Sequence, residues 1–314
     1  MIKWGIIGLG HIANEFAQGM EPLHEIYAVA ARDVNRAKEF QKKYNVRKVF
    51  DTYEELINSD VDIVYIATVN SQHLKNIRAC LEAGKHVLCE KAIWGDYKEL
   101  KEMYDLAVEK NLLLCEAMTI YHMPLFKKIQ NMIEDGVLGK IKYVQADLGS
   151  LKEDDPNNRF FSKALGGGAM LDIGTYVLSF LRYFMKGEFE EITHVMIPYP
   201  TGVDEMWSIG VKSENVVGNA NMTFRAKLPK RAVVAGDKAY VTIYNYVRAD
   251  KAILTYPDGK EEIIECGQTK DALTYEIQDI EECLMDRNVD KNYMQYTLDV
   301  VKIMDSLLKE ELTI

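Results

Sequence analysis

The chain has 314 residues, 48% of them hydrophobic, enough for one large or two ordinary domains with a sizeable core. Its 48 acidic residues against 38 Lys and Arg give a net charge of −10, which excludes the broad basic face that a nucleic-acid backbone demands but leaves room for a local basic pocket. Five cysteines at wide spacings, without C-x-x-C or a His/Cys cluster at ligand spacing, argue against a disulfide framework and a metal site, and for free thiols in a reducing compartment. No apolar run approaches the length of a membrane span, and MIKWGIIGLG has no signal-like cleavage site, so we expect a cytoplasmic protein with no membrane partner.

Residues 2–8 read as a strand and 11–20 as a helix. Residues 26–31 and 34–44 repeat the pair, followed by a short strand at 48–50 and a small helix at 53–58. Residues 62–68 form a buried strand, 71–83 a helix stopped by Gly84, 86–89 a strand, 97–110 a helix and 112–115 a strand. Strands alternating with helices predict a doubly wound parallel sheet. The uncharged runs IIGLG, IVYIAT and LLLC suit strands covered on both faces. The pattern changes near Met118. A helix at 124–135, a strand at 140–149 and a helix at 177–185 lead into a region, about 192–265, of strands with no long helix between them. That region predicts a large open sheet, mostly antiparallel, and two amphipathic helices at 272–285 and 292–308 close the chain. The predicted fold is α/β, with a dinucleotide-binding domain at 1–118 and an α/β domain for substrate binding and oligomerisation at 119–314; the last helices are candidates to pack back on the first domain.

Five stretches carry chemistry. Gly8-Leu9-Gly10-His11-Ile12-Ala13 fits G-x-G-x-x-A between the first strand and first helix. Gly8 permits the tight turn, Gly10 lets backbone approach a pyrophosphate, and Ala13 keeps the helix near the sheet, with the helix N-terminus facing the anion. After the second strand, Ala31 fills the position where an NAD site usually carries an acid, and Arg32 follows it. A small residue plus a guanidinium suits a 2′-phosphate and favours NADP; Asp33 reaching a ribose would fit NAD instead. Thr68, Asn70 and His73 follow the fourth strand, beside the switch point where dinucleotides bind; capping and packing are the plainer roles for Ser71 and His73.

Glu90 and Lys91 leave the end of the fifth strand into the apolar residues Ala92 and Ile93. Charges there are costly unless paired or used. A lysine so placed polarises a hydroxyl or carbonyl oxygen or lowers a neighbour's pKa, and Glu90 orients a ribose or the lysine. The last stretch, LGGGAMLDIGTYVLSF, puts three glycines before a helix on which Asp172 and Tyr176 share a face at i, i+4. A phenol near an ammonium makes a proton relay, and Asp172 can bond a substrate hydroxyl. Arg159 upstream is a cofactor or substrate contact or a surface residue, Glu116 and Tyr121 after the sixth strand are weaker pocket candidates, and Met206, Trp207, Tyr244 and Tyr246 read as sheet packing.

The set, in this order and over nearly the whole chain, resembles the glucose–fructose oxidoreductase, inositol dehydrogenase and rhizopine-catabolism (Gfo/Idh/MocA) superfamily. Within it, the Ala31-Arg32-Asp33 strand end and Tyr176 resemble the branch of dimeric dihydrodiol dehydrogenases and NADP-dependent D-xylose dehydrogenases. The resemblance implies a Rossmann domain followed by an α/β domain whose sheet forms a homodimer or homotetramer. It implies Lys91 and Tyr176 as the catalytic pair, with Asp172 on substrate or relay. It also implies an NADP-dependent dehydrogenase, with NAD as the other possible cofactor, acting on a sugar, polyol or dihydrodiol. The family motif E-K-P reads Glu90-Lys91-Ala92 here. The alternative, a non-catalytic NADP sensor of the same fold, has no need for Lys91, Asp172 and Tyr176.

Overall fold

The structure is a computed structural model and describes residues 1–93, 95–286 and 292–312. In chain order its elements are β1 (Trp4–Ile7), α1 (His11–Met20), β2 (Ala28–Ala30), α2 (Val34–Tyr44), β3 (Lys48–Phe50), α3 (Tyr53–Ile57), β4 (Ile63–Ile66), α4 (His73–Glu82), β5 (His86–Glu90), α5 (Tyr97–Glu109) and β6 (Leu114–Ala117). Then come α6 (Pro124–Glu134), β7 (Ile141–Gly149), α7 (Thr175–Phe184), β8 (Glu191–Pro198), β9 (Asp204–Ser213), β10 (Val216–Thr223), β11 (Arg231–Gly236), β12 (Tyr240–Tyr244), β13 (Lys251–Thr255), β14 (Glu261–Glu265), α8 (Ala272–Asp286) and α9 (Met294–Glu311). Two compact units result, Met1–Met118 with Lys270–Leu298, and Thr119–Thr269 with Asp299–Ile314.

In the first unit six strands pair in parallel in the order β3-β2-β1-β4-β5-β6. β1 and β4 are buried at every position, as their uncharged sequences require of strands covered on both faces. The helices start where side chains satisfy the free N–H groups: Asp33 caps α2, Thr52 caps α3 and Asp96 caps α5. α8 belongs to this unit and packs on α1, with Ile277, Ile280 and Cys283 entering the core around Trp4, Phe16 and Tyr65. Glu281 accepts from Trp4 Nε1 at 2.7 Å and pairs with His24 at 2.5 Å, which fixes the register of α8.

In the second unit eight strands run in the order β14-β13-β12-β11-β7-β10-β9-β8. All neighbours are antiparallel except β7 and β10 at the centre. α7 covers one face, packed on β7 and β10, and close approach is bought with glycine: a Cβ at Gly218 would meet Met185 and Leu181, and one at Gly174 would meet Met222. The opposite face shows Val195, Ile197, Val217, Tyr240, Tyr244 and Ile263, all exposed, and the strand registers place them on one side. Between them a polar row crosses the sheet: Ser208 donates to Asn221 (2.8 Å), Asn221 to Asp147 (2.8 Å) and Arg231 to Asp147 (3.2 Å).

Three segments differ from the sequence expectation. The helix expected from residue 71 begins as a 3-10 turn, Asn70–Gln72, before α4. The helix expected from residue 177 begins as a π turn, Met170–Gly174, that runs into α7; a five-residue stretch is too short for periodicity to tell the two turns apart. By length and hydropathy the stretch Lys163–Phe184 passes as a membrane span, contrary to the sequence reading, but 67% of its apolar window is buried within the fold.

Candidate active site

The glycine loop sits on the end of the first strand. Gly8 has φ +85°, and a Cβ there would lie 2.6 Å from the Ala67 carbonyl oxygen, so only glycine lets the loop rest on the end of β4. A Cβ at Gly10 would meet nothing within 4 Å, so space lies open above the start of α1. Gly10 caps α1 without a side chain, which leaves the first N–H groups of the helix to a ligand. Ala13 is fully buried against the sheet, Ile12 is half-buried and His11 is exposed, paired with Glu15 at 3.0 Å. Arg36, which the sequence did not single out, holds the loop by donating to the Leu9 carbonyl at 2.9 Å. Ala31 is buried, Arg32 is exposed, and the Asp33 carboxylate accepts from the Asn35 N–H at 2.9 Å as the cap of α2.

The end of β4 is tied to the turn after β5. Thr68 accepts from Asn76 through its hydroxyl at 3.1 Å, and Asn70 opens the 3-10 turn. His73 is completely buried, its Nε2 3.0 Å from the Thr68 carbonyl and its Nδ1 3.0 Å from the Ala92 carbonyl. Burial pushes the His73 pKa below the ordinary histidine value, against the pull of the two carbonyls and with help from the Lys91 charge. A neutral ring donates to one carbonyl at a time.

Glu90 is buried at the end of β5, where it accepts from the Tyr65 hydroxyl and from the Lys91 backbone N–H at 3.2 Å. Tyr65 is itself stacked on Phe16 at 3.7 Å. Lys91 is half-buried, and its peptide bond to Ala92 is cis. Glu116 lies inside β6 rather than after it, buried, and accepts from the Ile93 N–H at 3.0 Å and the Thr297 hydroxyl at 2.9 Å. Burial raises its pKa, opposed by these two hydrogen bonds and the Lys91 charge. The turn that carries Lys91 is therefore held on both sides of that residue, at the Glu90–Lys91 peptide by the Glu90 carboxylate and at the Ala92–Ile93 peptide by His73 and Glu116.

In the second unit, Asp172 sits on the π turn and Tyr176 on the first turn of α7, both half-buried. The glycines shape the entry: Gly166 and Gly168 have φ +69° and +121°, and the Gly168 N–H donates to the Phe160 carbonyl at 2.9 Å. Arg159 is exposed and lies 4.2 Å over the Phe160 ring. Asp204 is a residue the sequence reading missed. It is buried and accepts from the Met170 N–H at 2.6 Å and from Trp207 Nε1 at 2.8 Å, so it caps the π turn that carries Asp172. Its burial raises its pKa, opposed by those hydrogen bonds. Tyr121 is buried and stacks on Tyr183 at 5.9 Å. Tyr246 lies in a 3-10 turn, Tyr246–Arg248, rather than on a sheet face.

Comparison with known proteins gives a consistent picture. Residues 2–118 match the model of an oxidoreductase family with an NAD-binding Rossmann fold, and residues 126–242 match a GFO/IDH/MocA C-terminal domain. The trans-1,2-dihydrobenzene-1,2-diol dehydrogenase of Xenopus laevis is 30% identical over 298 residues, covering 90% of this chain and 89% of that protein. The human protein of the same name is 31% identical over 296 residues, covering 90% and 88%. Among solved structures, a 3-ketoreductase from Actinomadura kijaniata in complex with NADP and TDP-benzene superposes with a TM-score of 0.85 at 23% identity, covering 97% of this chain and 96% of that one. A levoglucosan dehydrogenase in complex with NADH and levoglucosan gives 0.84 at 21% identity, covering 98% and 97%.

Proposed function

This chain belongs to the oxidoreductase family with the NAD-binding Rossmann fold and the GFO/IDH/MocA C-terminal domain, and from that premise we propose that it is an NADP-dependent dehydrogenase acting on the carbinol carbon of a sugar, polyol or dihydrodiol. The observation that carries the reading is the triple grip on the Lys91 turn, beside a glycine loop whose helix N-terminus is left uncapped. A lysine held this firmly is pre-organised for charge stabilisation at a reacting oxygen.

Gly8, Gly10, His11, Ile12 and Ala13 form the pyrophosphate cradle in this proposal, and the open space above Gly10 fits that ligand. Arg32 takes the 2′-phosphate beside the small Ala31, which favours NADP over NAD, and Asp33 is spent on the cap of α2. Thr68, Asn70 and His73 shape the wall at the end of β4, Glu90 and Lys91 the end of β5, and Arg159 contributes from the second unit. A bound nicotinamide dinucleotide supplies the hydride acceptor. In this mechanism Tyr176 takes the proton of the substrate hydroxyl, Lys91 stabilises charge at the reacting oxygen, and Asp172 orients the substrate.

The proposed assembly is a homodimer or homotetramer through the open face of the eight-stranded sheet, whose exposed Val195, Ile197, Tyr240, Tyr244 and Ile263 favour a second copy over water. We place it in the cytoplasm, in keeping with five free cysteines; burial pushes the Cys80 thiol up to about 12 and those of Cys89 and Cys115 well above the usual range. The test is reduction of NADP⁺, with NAD⁺ in parallel, across aldoses, polyols and trans-dihydrodiols. Lys91→Ala lowers turnover by roughly 10²- to 10⁴-fold, the range of a lost charge-stabilising or acid–base group, while NADP binding stays near the wild-type level. Normal turnover in that variant removes Lys91 from the mechanism. NADPH binding with no turnover on any carbonyl compound would favour a sensor.

A further inference from the structure

Asp204 is a carboxylate that the proposed mechanism does not use, and it is almost completely buried at the start of β9. A buried charge is costly unless donors satisfy it, so its place calls for a reason. Its Oδ2 accepts from the Met170 N–H at 2.6 Å and from Trp207 Nε1 at 2.8 Å. One donor belongs to its own strand and the other to the π turn Met170–Gly174, so the carboxylate ties the sheet to that turn. The strand end is itself fixed: the Tyr199 N–H donates to the Val203 carbonyl at 2.7 Å and the Phe224 N–H to the Glu205 carbonyl at 2.9 Å.

The turn is shaped to receive this side chain. Ala169, the residue before it, offers no side-chain cap, so the first N–H groups of the helical run need an acceptor from elsewhere. Gly168 has φ +121°, and a Cβ there would run into Asp204 Oδ1, so glycine both makes the bend and clears the approach. The Gly168 carbonyl in turn accepts from the Asp172 N–H at 3.3 Å. The run then continues into α7, whose first turn carries Tyr176. Asp204 thus holds the start of the helical run on which both Asp172 and Tyr176 stand.

We propose that Asp204 is a positioning residue for the reaction: held by β9, it anchors the start of the π turn and so sets where Asp172 and Tyr176 meet the substrate. The proposal rests on the reading of Asp172 as the substrate contact and Tyr176 as the acid–base group. Asp204 itself touches no reacting atom and moves no proton. A displacement of about 1 Å at a reacting group costs on the order of a hundredfold in rate. A carboxylate guards against it better than a neutral cap, because its hydrogen bonds are charge-assisted and its charge complements the helix start.

Asp204→Asn keeps the shape and an acceptor oxygen but removes the charge. Turnover, assayed well below the melting temperature, should fall between about tenfold and a hundredfold, with NADP affinity unchanged because the glycine loop belongs to the other unit. A merely structural role would lower the melting temperature and leave the turnover of folded molecules alone. A second readout needs no substrate: hydrogen exchange at the Met170 amide of the full chain should speed up about tenfold, with the amides of Leu178 and Leu181 on α7 unchanged. Should Asp204→Asn fail to fold, Gly168→Ala carries the test, since its methyl displaces the Asp204 carboxylate and the same two changes are expected. Unchanged exchange at Met170 overturns the proposal, and so does faster exchange with wild-type turnover. Faster exchange in a protein whose wild type turns over no substrate upholds the anchoring of the turn and overturns the dehydrogenase reading instead.

Discussion

The two sheets solve burial in opposite ways. The six-stranded sheet is covered twice, and its central strands are apolar at every position. Such strands have no room for chemistry along their length, so the polar groups collect at their carboxyl ends: Thr68 after β4, Glu90 and Lys91 after β5. The eight-stranded sheet is covered once by α7 and alternates inward Val144, Ala146 and Leu148 with outward Tyr143, Gln145 and Asp147. The chemistry proposed for it lies on its cover, in the crossover that bears Asp172 and Tyr176, and its bare face is the one proposed to meet a second copy. A sheet's second layer thus decides whether function sits at its ends or on its faces.

The contrast can be broken most severely at Gly8. Gly8→Val forces a β-branched residue into φ +85° against the Ala67 carbonyl and should cost about 3 kcal/mol or more. We expect a chemical melt to show the loss and a dinucleotide titration to show no binding; wild-type binding would mean that the loop does not need its close approach. The second sheet is tested on its bare face. Val195→Lys with Tyr244→Glu places charges on two exposed apolar positions at the ends of the polar row. Self-association measured by sedimentation should weaken about a hundredfold, roughly 3 kcal/mol, with the folded content unchanged. Association that persists at wild-type strength would move the interface elsewhere.

The mildest test sharpens the account of the strand ends. Folded Glu116 keeps its proton to higher pH than its ordinary value of 4.5, so the folded state binds more protons than the unfolded chain between the two. Stability contributed by this group is present below 4.5 and is lost as pH rises through the folded value. Glu116→Gln should remove that slope and change stability by about 1 kcal/mol, visible as a flatter melting temperature between weakly acidic and neutral pH. An unchanged slope would assign it to Asp204, whose pKa is raised in the same direction.

Legibility followed the range of the interactions. The parallel sheet was readable because IIGLG and IVYIAT are uninterrupted apolar runs, and the glycine loop because Gly8, Gly10 and Ala13 act through local backbone geometry. The grip on Lys91 was only half readable. Its residue types were visible, but Glu116 and Thr297 meet from opposite ends of the unit, and nothing local marks that meeting. The same holds for Asp204 on Met170, for Tyr246 on Phe180, and for His194 with Glu310 and Glu311, whose side-chain N and O atoms lie within 4.8 Å of one another although His194 stands over a hundred positions before the two acids in sequence. The parallel pairing of β7 with β10 leaves no sequence trace either, since either strand alone reads like its antiparallel neighbours.

That pairing sets the order in which the second unit can assemble. Antiparallel neighbours joined by short turns, such as β9 with β10 and β11 with β12, can zip locally within microseconds. The central pair cannot, because β7 and β10 are separated by residues 150–215, and a parallel pair needs its crossover in place. Closing so long a loop costs entropy before any ladder bond forms, so the pairings of β7, with β10 and with β11, are expected to follow the local hairpins. The crossover is the segment that carries Arg159, Asp172 and Tyr176, so the residues proposed to handle the proton are anchored at both ends only when the middle of the sheet has closed.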